Sequence, residues 1–246
     1  MSLRQTDFQR PRTWPTLATG EVHIWLMDLD QPTIPPARLS TTLSADERQR
    51  AARFHNPHTG ARYATLHLQL RRLLAHYSGI PAAALQFTVG KQGKPLLRQH
   101  PLHFNSSRSS QLGLVAICAD AEVGIDIEHH RPVIDHQPIA RSYFSSAERA
   151  ALAALPANRQ ISAFHQIWTR KEAYLKALGV GLTRSLDGFS VCSAGKLLPA
   201  HIDDHSDASV QARWQLHDLL IAPDFSATLA SSSSNSRHRC LLLDRA

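Results

Sequence analysis

The stretch LSADER at residues 43–48 recurs as FSSAER at residues 144–149, and this repeat is the first indication of the fold. In the first copy Ser44 is followed three residues later by Glu47, and the second copy has the same spacing. This spacing is the capping-box pattern of a helix start. Two more pairs of segments repeat at nearly the same offset, close to 101 residues: 21–26 with 122–127, and 86–89 with 188–191. A period this long is outside ordinary solenoid repeats, and it predicts two related halves.

Each half has the pattern of a strand, a short capped helix, a long helix and further strands. The long helices are predicted near residues 58–78 and 159–178, where apolar residues recur at helical spacing. Both end at a glycine, Gly79 and Gly179, as helices commonly do. The predicted fold class is therefore α+β, with a small, mostly antiparallel sheet packed on a long helix in each half.

Composition limits the class of protein. Of 246 residues, 43% are hydrophobic and 19% are charged, which favours a folded core over disorder. No apolar run reaches the roughly 18–20 residues of a membrane span, and the N-terminus lacks the apolar region of a secretory signal. The three cysteines lie far apart without CxxC spacing, which argues against a disulfide framework or a cysteine zinc site. We therefore expect a cytoplasmic globular protein.

The charge is unevenly distributed along the chain. Residues 1–121 hold 14 Lys and Arg against 7 Asp and Glu, whereas residues 122–246 hold 13 of each. A basic first half indicates an anionic partner such as a nucleic acid, a phosphorylated cofactor or an acidic protein. A basic face that serves only solubility remains an alternative.

The second half carries carboxylates in an apolar frame, VGIDIE at residues 123–128. Because side chains alternate along a strand, Asp126 and Glu128 should project from one face, about 6.6–7 Å apart. Two adjacent carboxylates are costly unless a cation joins them, and oxygen ligands favour magnesium, manganese or calcium. The first half has Trp25 and Met27 at the matching places. An acidic strand end that faces water is the alternative.

The second long helix adds Glu172 and Lys176, four residues apart on one face. Such a pair is commonly a surface ion pair. A third carboxylate beside Asp126 would instead complete a metal site, and Lys176 would then meet an anionic ligand. The matching residues of the first half are Arg72 and His76.

Two segments suggest phosphate binding, although each also resembles an ordinary surface loop. GKQGKP at residues 90–95 is a turn with two lysines, held by glycines and ended by proline. FNSSRSS at residues 104–110 follows a predicted short strand and offers hydroxyls with one guanidinium.

Taken in order, these motifs resemble the 4′-phosphopantetheinyl transferase family. The chain is most similar to the long, surfactin-synthetase-activating type, which is a pseudo-dimer of two α+β halves. The resemblance covers roughly residues 40–195 and rests on GKP at 93–95, FNSSRS at 104–109, GIDIE at 124–128, FSSAE at 144–148 and WTRKEAYLKALGVGL at 168–182. It implies an N-terminal extension (1–20), a basic coenzyme-binding half (21–121) and a half with the metal and catalytic carboxylates (122–246).

The resemblance implies magnesium-dependent transfer of the phosphopantetheine arm from coenzyme A to a serine of an apo carrier protein. Manganese would also suit the ligands. The implied magnesium ligands are Asp126, Glu128 and Glu172. Glu172 would also act as the base, and Lys176 would stabilise or protonate the departing phosphate. The implied coenzyme-binding residues are Lys94, Ser107, Arg108 and Lys176 along the phosphates, with Arg50, Arg53 and Arg62 near the 3′-phosphate.

Two positions depart from the family pattern. Arg108 stands where many members have histidine; arginine can hold phosphate but cannot shuttle protons. Glu47 stands where a lysine often binds the 3′-phosphate, which would shift that contact to Arg50 and Arg53.

Three alternatives belong to other classes. A non-catalytic module that binds coenzyme A or carrier proteins would keep the fold, but it has no need of the full carboxylate and lysine set. A nucleic-acid binder is suggested only by the basic charge. A phosphate-ester hydrolase would also use carboxylates and a metal. We expect a monomer that acts on acidic carrier proteins and binds neither nucleic acid nor membrane.

Overall fold

The computed structural model describes residues 8–30, 36–90, 93–98, 100–130, 135–181, 184–193, 196–204, 213–233 and 237–243. The helices are α1 (Pro36–Thr42), α2 (Ala45–Ala52), α3 (Pro57–Ser78), α4 (His136–Tyr143), α5 (Ser146–Ala153) and α6 (Ala157–Leu178). The strands are β1 (Glu21–Asp28), β2 (Phe87–Val89), β3 (Pro95–Leu97), β4 (His103–Ser109), β5 (Leu112–Cys118), β6 (Val123–His129), β7 (Phe189–Ser193), β8 (Lys196–Asp204), β9 (Gln215–Leu219), β10 (Phe225–Ser231) and β11 (Arg237–Leu242). Helices and small sheets are thus mixed, in agreement with the predicted α+β class.

The repeated serine motifs start helices α2 and α5. The Ser44 hydroxyl accepts a bond from the Glu47 backbone N–H, and the Glu47 carboxylate accepts one from the Ser44 N–H. The same reciprocal pair is present at the start of α5. Both capping boxes satisfy backbone donors that a helix start leaves without partners.

The long helices α3 and α6 have 22 residues each and end at glycine. Gly79 has φ +72° and Gly179 has φ +71°, in the left-handed region that a side chain disfavours. The predicted helix ends are therefore confirmed, with starts one and two residues earlier than predicted.

The strands form two main sheets of similar order. In the first sheet the order is β11-β1-β5-β4, and in the second it is β6-β10-β9. The pairs β1–β5, β5–β4, β6–β10 and β10–β9 are all antiparallel. Two hairpins, β2–β3 and β7–β8, form separate two-stranded sheets.

The last strand crosses the predicted boundary between the halves. β11 pairs in parallel with β1, so that Ile24 lies beside Cys240. A strand from residues 122–246 therefore completes the first sheet. The division at residue 121 stays a prediction about the sequence, because the sheets do not separate there.

One segment predicted as irregular is a strand. FNSSRS lies inside β4, where the sequence suggested a loop after a strand. The serine-rich composition is typical of turns, but Phe104 is buried in the core while Asn105, Ser107 and Ser109 bond to β6.

Apolar side chains fill three layers around these sheets. The middle layer lies between the sheets and includes Ile24, Ile125 and Leu229. Outer layers pack α3 on the first sheet and α6 on the second. Within the described ranges, no helix has the length and apolar character to cross a membrane.

Candidate active site

Helix α6 lies unusually close to strand β6, and Gly124 is the reason. A Cβ atom at Gly124 would lie 2.1 Å from the Ala173 carbonyl oxygen and 2.4 Å from the Ala177 backbone nitrogen. Only glycine permits this approach. The close packing brings the second half of α6, with Glu172 and Lys176, beside the carboxylates of β6.

Asp126 is the centre of the resulting cluster, and its side chain is only 2% exposed. Its Oδ1 accepts bonds from Lys176 Nζ at 2.6 Å and from Ser107 Oγ at 2.8 Å. Lys176 Nζ also donates to Ser107 Oγ at 3.1 Å. The other oxygen of Asp126, Oδ2, is buried and has no hydrogen-bond partner within the described ranges. A buried carboxylate oxygen without a donor is costly, so this atom needs a further ligand.

The alternating polar residues of β4 hold β6 from the other side. Asn105 accepts a bond from the Ile125 backbone N–H at 2.9 Å. The Ser109 hydroxyl donates to Glu128 Oε2 at 2.9 Å. Asp126 and Glu128 thus face the same side of β6, as the strand alternation predicts.

Glu172 is a half-buried carboxyl group that forms no hydrogen bond or ion pair with any described residue. Its pKa is raised from the usual value, first by burial and then by the negative charge of Asp126, while Lys176 opposes the shift. Removal of solvent and a nearby like charge both favour the neutral form. Without a ligand, the positive charge of Lys176 therefore does not balance the negative charges of Asp126 and Glu172.

The carboxylates partly fit the predicted metal site. Among the described residues, no set of three or more His, Cys, Asp or Glu side chains is arranged to hold a metal ion. The donor chemistry nevertheless fits a hard cation, because Asp126 Oδ2 lacks a partner and Glu172 repels Asp126. The structure brings Asp126 and Glu172 together and places Glu128 two residues along the same strand face.

The arginines predicted to bind coenzyme form a basic, aromatic patch around helix α3. The guanidinium of Arg108 lies 5.4 Å from the centre of the Phe54 ring, and that of Arg50 lies 5.5 Å from the centre of the Tyr63 ring. The pKa of Arg108 is lowered by burial first and then by the charges of Arg62 and Arg50. These cations repel each other, which an anionic ligand would relieve.

The remaining predicted arginines differ in their contacts. Arg62 donates two bonds to Asp30, each of 2.6 Å, which raises the pKa of Arg62. Arg53 follows α2 as its C-cap residue and has an exposed side chain. Glu47, the departure from the family pattern, accepts from Arg71 Nε at 2.8 Å. Glu47 thus has a structural partner in addition to its capping role.

Lys94 contacts the second half of the chain instead of facing the arginine patch. Its Nζ donates to Glu122 Oε2 at 2.6 Å, to the Ala177 carbonyl at 3.0 Å and to the Val123 carbonyl at 3.1 Å. A cation at the carbonyl end of α6 is favourable because of the helix dipole. The predicted contact of Lys94 with a coenzyme phosphate would require its ammonium group to leave these partners.

Sequence reasoning did not identify two residues that support this site. Ser109 holds Glu128, and Glu122 holds Lys94. The pKa of Glu122 is lowered to about 2, first by its bond with His103 and then by Lys94. The alternation of Asn105, Ser107 and Ser109 was the available signal for a strand with one polar face.

Comparisons with known proteins match this chain to one enzyme family. The model of the 4′-phosphopantetheinyl transferase superfamily matches residues 122–230. The 4′-phosphopantetheinyl transferase HetI of Nostoc sp. is 38% identical over 173 residues, which cover 69% of this chain and 73% of HetI. A 4′-phosphopantetheinyl transferase of Bacillus subtilis is 34% identical over 158 residues, covering 63% of this chain and 68% of that protein. The transferase Sfp of Bacillus subtilis strain 168 is 31% identical over 157 residues, with coverage of 63% and 68%.

Proposed function

The chain belongs to the 4′-phosphopantetheinyl transferase superfamily, and from this premise we propose that it modifies carrier proteins. It transfers the 4′-phosphopantetheine group of coenzyme A to a serine hydroxyl of an apo acyl or peptidyl carrier protein. The products are the holo carrier protein and adenosine 3′,5′-bisphosphate. The relatives compared above are named as transferases, so the non-catalytic binding module has no support.

The observation that carries the proposal is the contact of Asp126 with Lys176 beside Glu172. One carboxylate oxygen is bonded to an ammonium group, its second oxygen has no donor among the described residues, and a second carboxyl group lies close enough to be repelled. This arrangement offers negative oxygens for a cation and a positive group for a phosphate in one partly buried place.

Lys176 is positioned to bind the phosphate that leaves. Its ammonium has three donors, of which two are used by Asp126 and Ser107. Its side chain is 30% exposed, so the third donor is accessible to an incoming phosphate oxygen. We propose that it stabilises or protonates the phosphate of adenosine 3′,5′-bisphosphate as the bridging P–O bond breaks.

Glu172 is the proposed acceptor of the serine proton. Burial and Asp126 make its carboxyl group more basic than an ordinary glutamate, as a general base requires. The serine oxygen forms the new bond to the phosphorus atom attached to the pantetheine arm, and the serine proton passes to Glu172 directly or through a water. With Asp126 and Glu128, Glu172 would also hold Mg²⁺, for which Mn²⁺ is an alternative. Such an ion would neutralise the pyrophosphate charge.

The arginine patch is the proposed site of the remaining coenzyme phosphates. Arg50, Arg53 and Arg62 would contact the 3′-phosphate and its neighbours, with Lys94, Ser107 and Arg108 along the pyrophosphate. Ser107 already orients Asp126, so we expect it to position the carboxylate as well. Arg108 binds but does not transfer protons, because a guanidinium remains charged.

The proposed partner is an acidic carrier protein. The excess of 14 basic over 7 acidic residues in positions 1–121 would attract it and the coenzyme alike. We further propose a cytoplasmic location, to which the three free cysteines are suited, and no binding of nucleic acid or membrane. A steep salt dependence of DNA binding would contradict this. The repeated strand order and capping boxes support a pseudo-dimer of two α+β halves in one chain, divided near residue 121.

Intact-mass spectrometry of an apo carrier protein tests the function. With this protein, coenzyme A and Mg²⁺, the carrier should gain the mass of one phosphopantetheine group. A chelator or the Asp126→Ala variant should abolish the gain, while the Asp187→Asn variant, which alters an exposed carboxylate, should retain it. The fold of each variant is checked by circular dichroism.

Other outcomes distinguish the alternatives. Release of phosphopantetheine without modification of the carrier would identify a hydrolase. Coenzyme A binding without any mass gain, across fatty-acid, polyketide and peptide-synthetase carriers, would identify a binding module and would overturn the proposal.

A further inference from the structure

A cavity lies among helix α3, strand β1 and residues 11–14, and none of its lining residues belongs to the Asp126 cluster or the arginine patch. It has a volume of about 220 Å³. Its walls include the indole rings of Trp14 and Trp25 and the side chains of Arg12 and Arg72. None of these residues belongs to the proposed transfer machinery.

The cavity occupies the place in the first half that corresponds to the candidate active site in the second. Arg72 and Glu172 each lie seven residues before the glycine that ends their helix. Trp25 on β1 matches Asp126 on β6 in the sequence repeat. The site chemistry is thus reversed, since an indole and a guanidinium stand where the other half has two carboxylates.

The two indole rings form an aromatic wall. Their ring centres lie 5.7 Å apart, and Trp14 also lies 4.9 Å from the ring of His76. Trp14 is 45% exposed although it is a large aromatic residue. Trp25 is buried and donates from its Nε1 to the Tyr77 hydroxyl at 3.0 Å. The exposed ring of Trp14, tilted 43° against the buried Trp25 ring behind it, leaves an apolar surface that the ring of a ligand would cover.

The cavity holds two positively charged side chains. The Arg72 guanidinium is half-buried and donates to Gln69 Oε1 at 2.8 Å, a neutral acceptor, while Arg12 is exposed. The pKa of Arg72 is lowered by burial and then by the charge of Arg38. Within the ranges that the structure describes, neither Arg72 nor Arg12 forms an ion pair with a carboxylate. An anionic group of a ligand would form a charge-assisted contact with the half-buried guanidinium.

We propose that this cavity binds a small aromatic anion, with its ring against Trp14 and Trp25 and its anionic group on Arg72 and Arg12. A dry cavity of about 150 Å³ holds one benzene ring, so a volume near 220 Å³ suits a single ring with a carboxylate or phosphate group. Planar guanidinium groups bind both anions in a bidentate manner. The site is independent of the proposed transfer reaction, and its binding is measured without coenzyme A.

Isothermal titration calorimetry with four matched probes tests the proposal. Benzoate and phenyl phosphate carry both a ring and an anion, benzyl alcohol carries the ring alone, and acetate carries the anion alone. We expect saturable binding of one or both aromatic anions and much weaker binding of the other two probes. The preferred anion identifies the ligand as a carboxylate or a phosphate. Equal binding of benzyl alcohol or acetate, or no binding of any probe, would overturn the proposal.

Variants locate the binding at this cavity. Arg72→Gln should lower the affinity for the favoured probe by about tenfold or more, because a charge-assisted contact is lost. Trp14→Ala serves as the second variant, since an exposed side chain can be removed with little effect on folding, and it should also weaken binding. Arg98→Gln, a change at an exposed arginine elsewhere, is the control and should bind normally. Unaltered binding in both Arg72→Gln and Trp14→Ala would place the anion elsewhere and contradict the assignment.

Discussion

The two long helices meet their strands in opposite ways. In the second half, Gly124 on β6 faces the backbone of Ala173 and Ala177, and nothing larger than hydrogen fits between. At the matching place of the first half, His23 on β1 is fully buried and bonds through Nδ1 to the Tyr77 hydroxyl of α3 at 2.6 Å. A pair of large side chains thus replaces a glycine and an alanine.

This difference shows how one repeated framework supports two kinds of site. Direct contact of backbone with backbone in the second half places Glu172 and Lys176 beside Asp126. In the first half the His23–Tyr77 pair separates strand and helix, and Trp25 and Arg72 line a cavity. The proposed catalytic chemistry therefore depends on small residues at the helix–strand contact as much as on the carboxylates.

The largest effect should come from the carboxyl group that only the second half has. Glu172→Gln should lower transfer by about 10²–10⁴-fold, the usual contribution of a general base, while coenzyme A binding stays largely intact. Mass spectrometry measures transfer and calorimetry measures binding. The exposed Asp187→Asn variant is the control for loss of a carboxylate. Normal turnover of Glu172→Gln would refute its role as base and ligand.

Gly124→Ala tests the close contact itself. The new methyl group would lie 2.1 Å from a backbone oxygen, so α6 must move, at a cost of about 3 kcal/mol in the free energy of unfolding. The rate of transfer should fall as well, because the movement of α6 takes Lys176 away from Asp126. Urea unfolding gives the stability change. Gly188→Ala is the matched control, since no atom lies within 4 Å of a Cβ there; equal stability of the two variants would contradict the role of Gly124.

The contact between the two sheets should depend on pH. The rings of His217 on β9 and His238 on β11 lie 4.0 Å apart, and burial lowers their pKa values to about 3 and about 4. In the unfolded chain these histidines bind protons below about pH 6.5, whereas in the folded protein they stay neutral down to about pH 4. Their contribution to stability is therefore fully present above pH 6.5 and is lost as the pH falls from 6.5 toward 4. At pH 5 the loss attributable to His217 is up to about 2 kcal/mol.

Urea unfolding of the protein and of His217→Asn at pH 7 and pH 5 measures this loss. The variant should show a smaller difference between the two pH values. An identical pH dependence would mean that folding does not lower the pKa of His217.

Tyr77→Phe should have the smallest effect. It removes the hydroxyl that bonds His23 and Trp25, which costs about 1–2 kcal/mol of stability because buried polar groups lose their partner. Transfer should be unchanged, since neither His23 nor Tyr77 is among the residues proposed to bind the coenzyme or the metal or to act in catalysis. Thermal unfolding and the mass assay measure the two properties, and loss of transfer without loss of stability would tie this pair to the reaction.

Local patterns in the sequence predicted much of the framework. The serine–glutamate spacing identified both capping boxes, and Gly79 and Gly179 marked the helix ends. Alternation along 123–128 placed Asp126 and Glu128 on one face, as their separate bonds to serines of β4 show. These features depend on neighbours within a few residues, so one sequence is enough to predict them.

Other features were not predicted because their partners are distant in the chain. The composition of β4 is typical of a loop. Its polar side chains nevertheless fit a strand, because Asn105 and Ser107 form their hydrogen bonds with β6. Lys94 looked like a free lysine in a glycine turn, but Glu122 and the end of α6 hold it.

Residue types and their spacing were enough to predict the periodicity, the caps, the helix ends and the candidate carboxylates, because these follow from short-range backbone and side-chain chemistry. Three further features came from the packing of distant elements: β11 completes the first sheet, Gly124 allows α6 to touch β6, and Lys176 bonds Asp126. These contacts join residues that are tens to hundreds of positions apart. They depend on how whole elements pack, and no local pattern in the sequence encodes that packing.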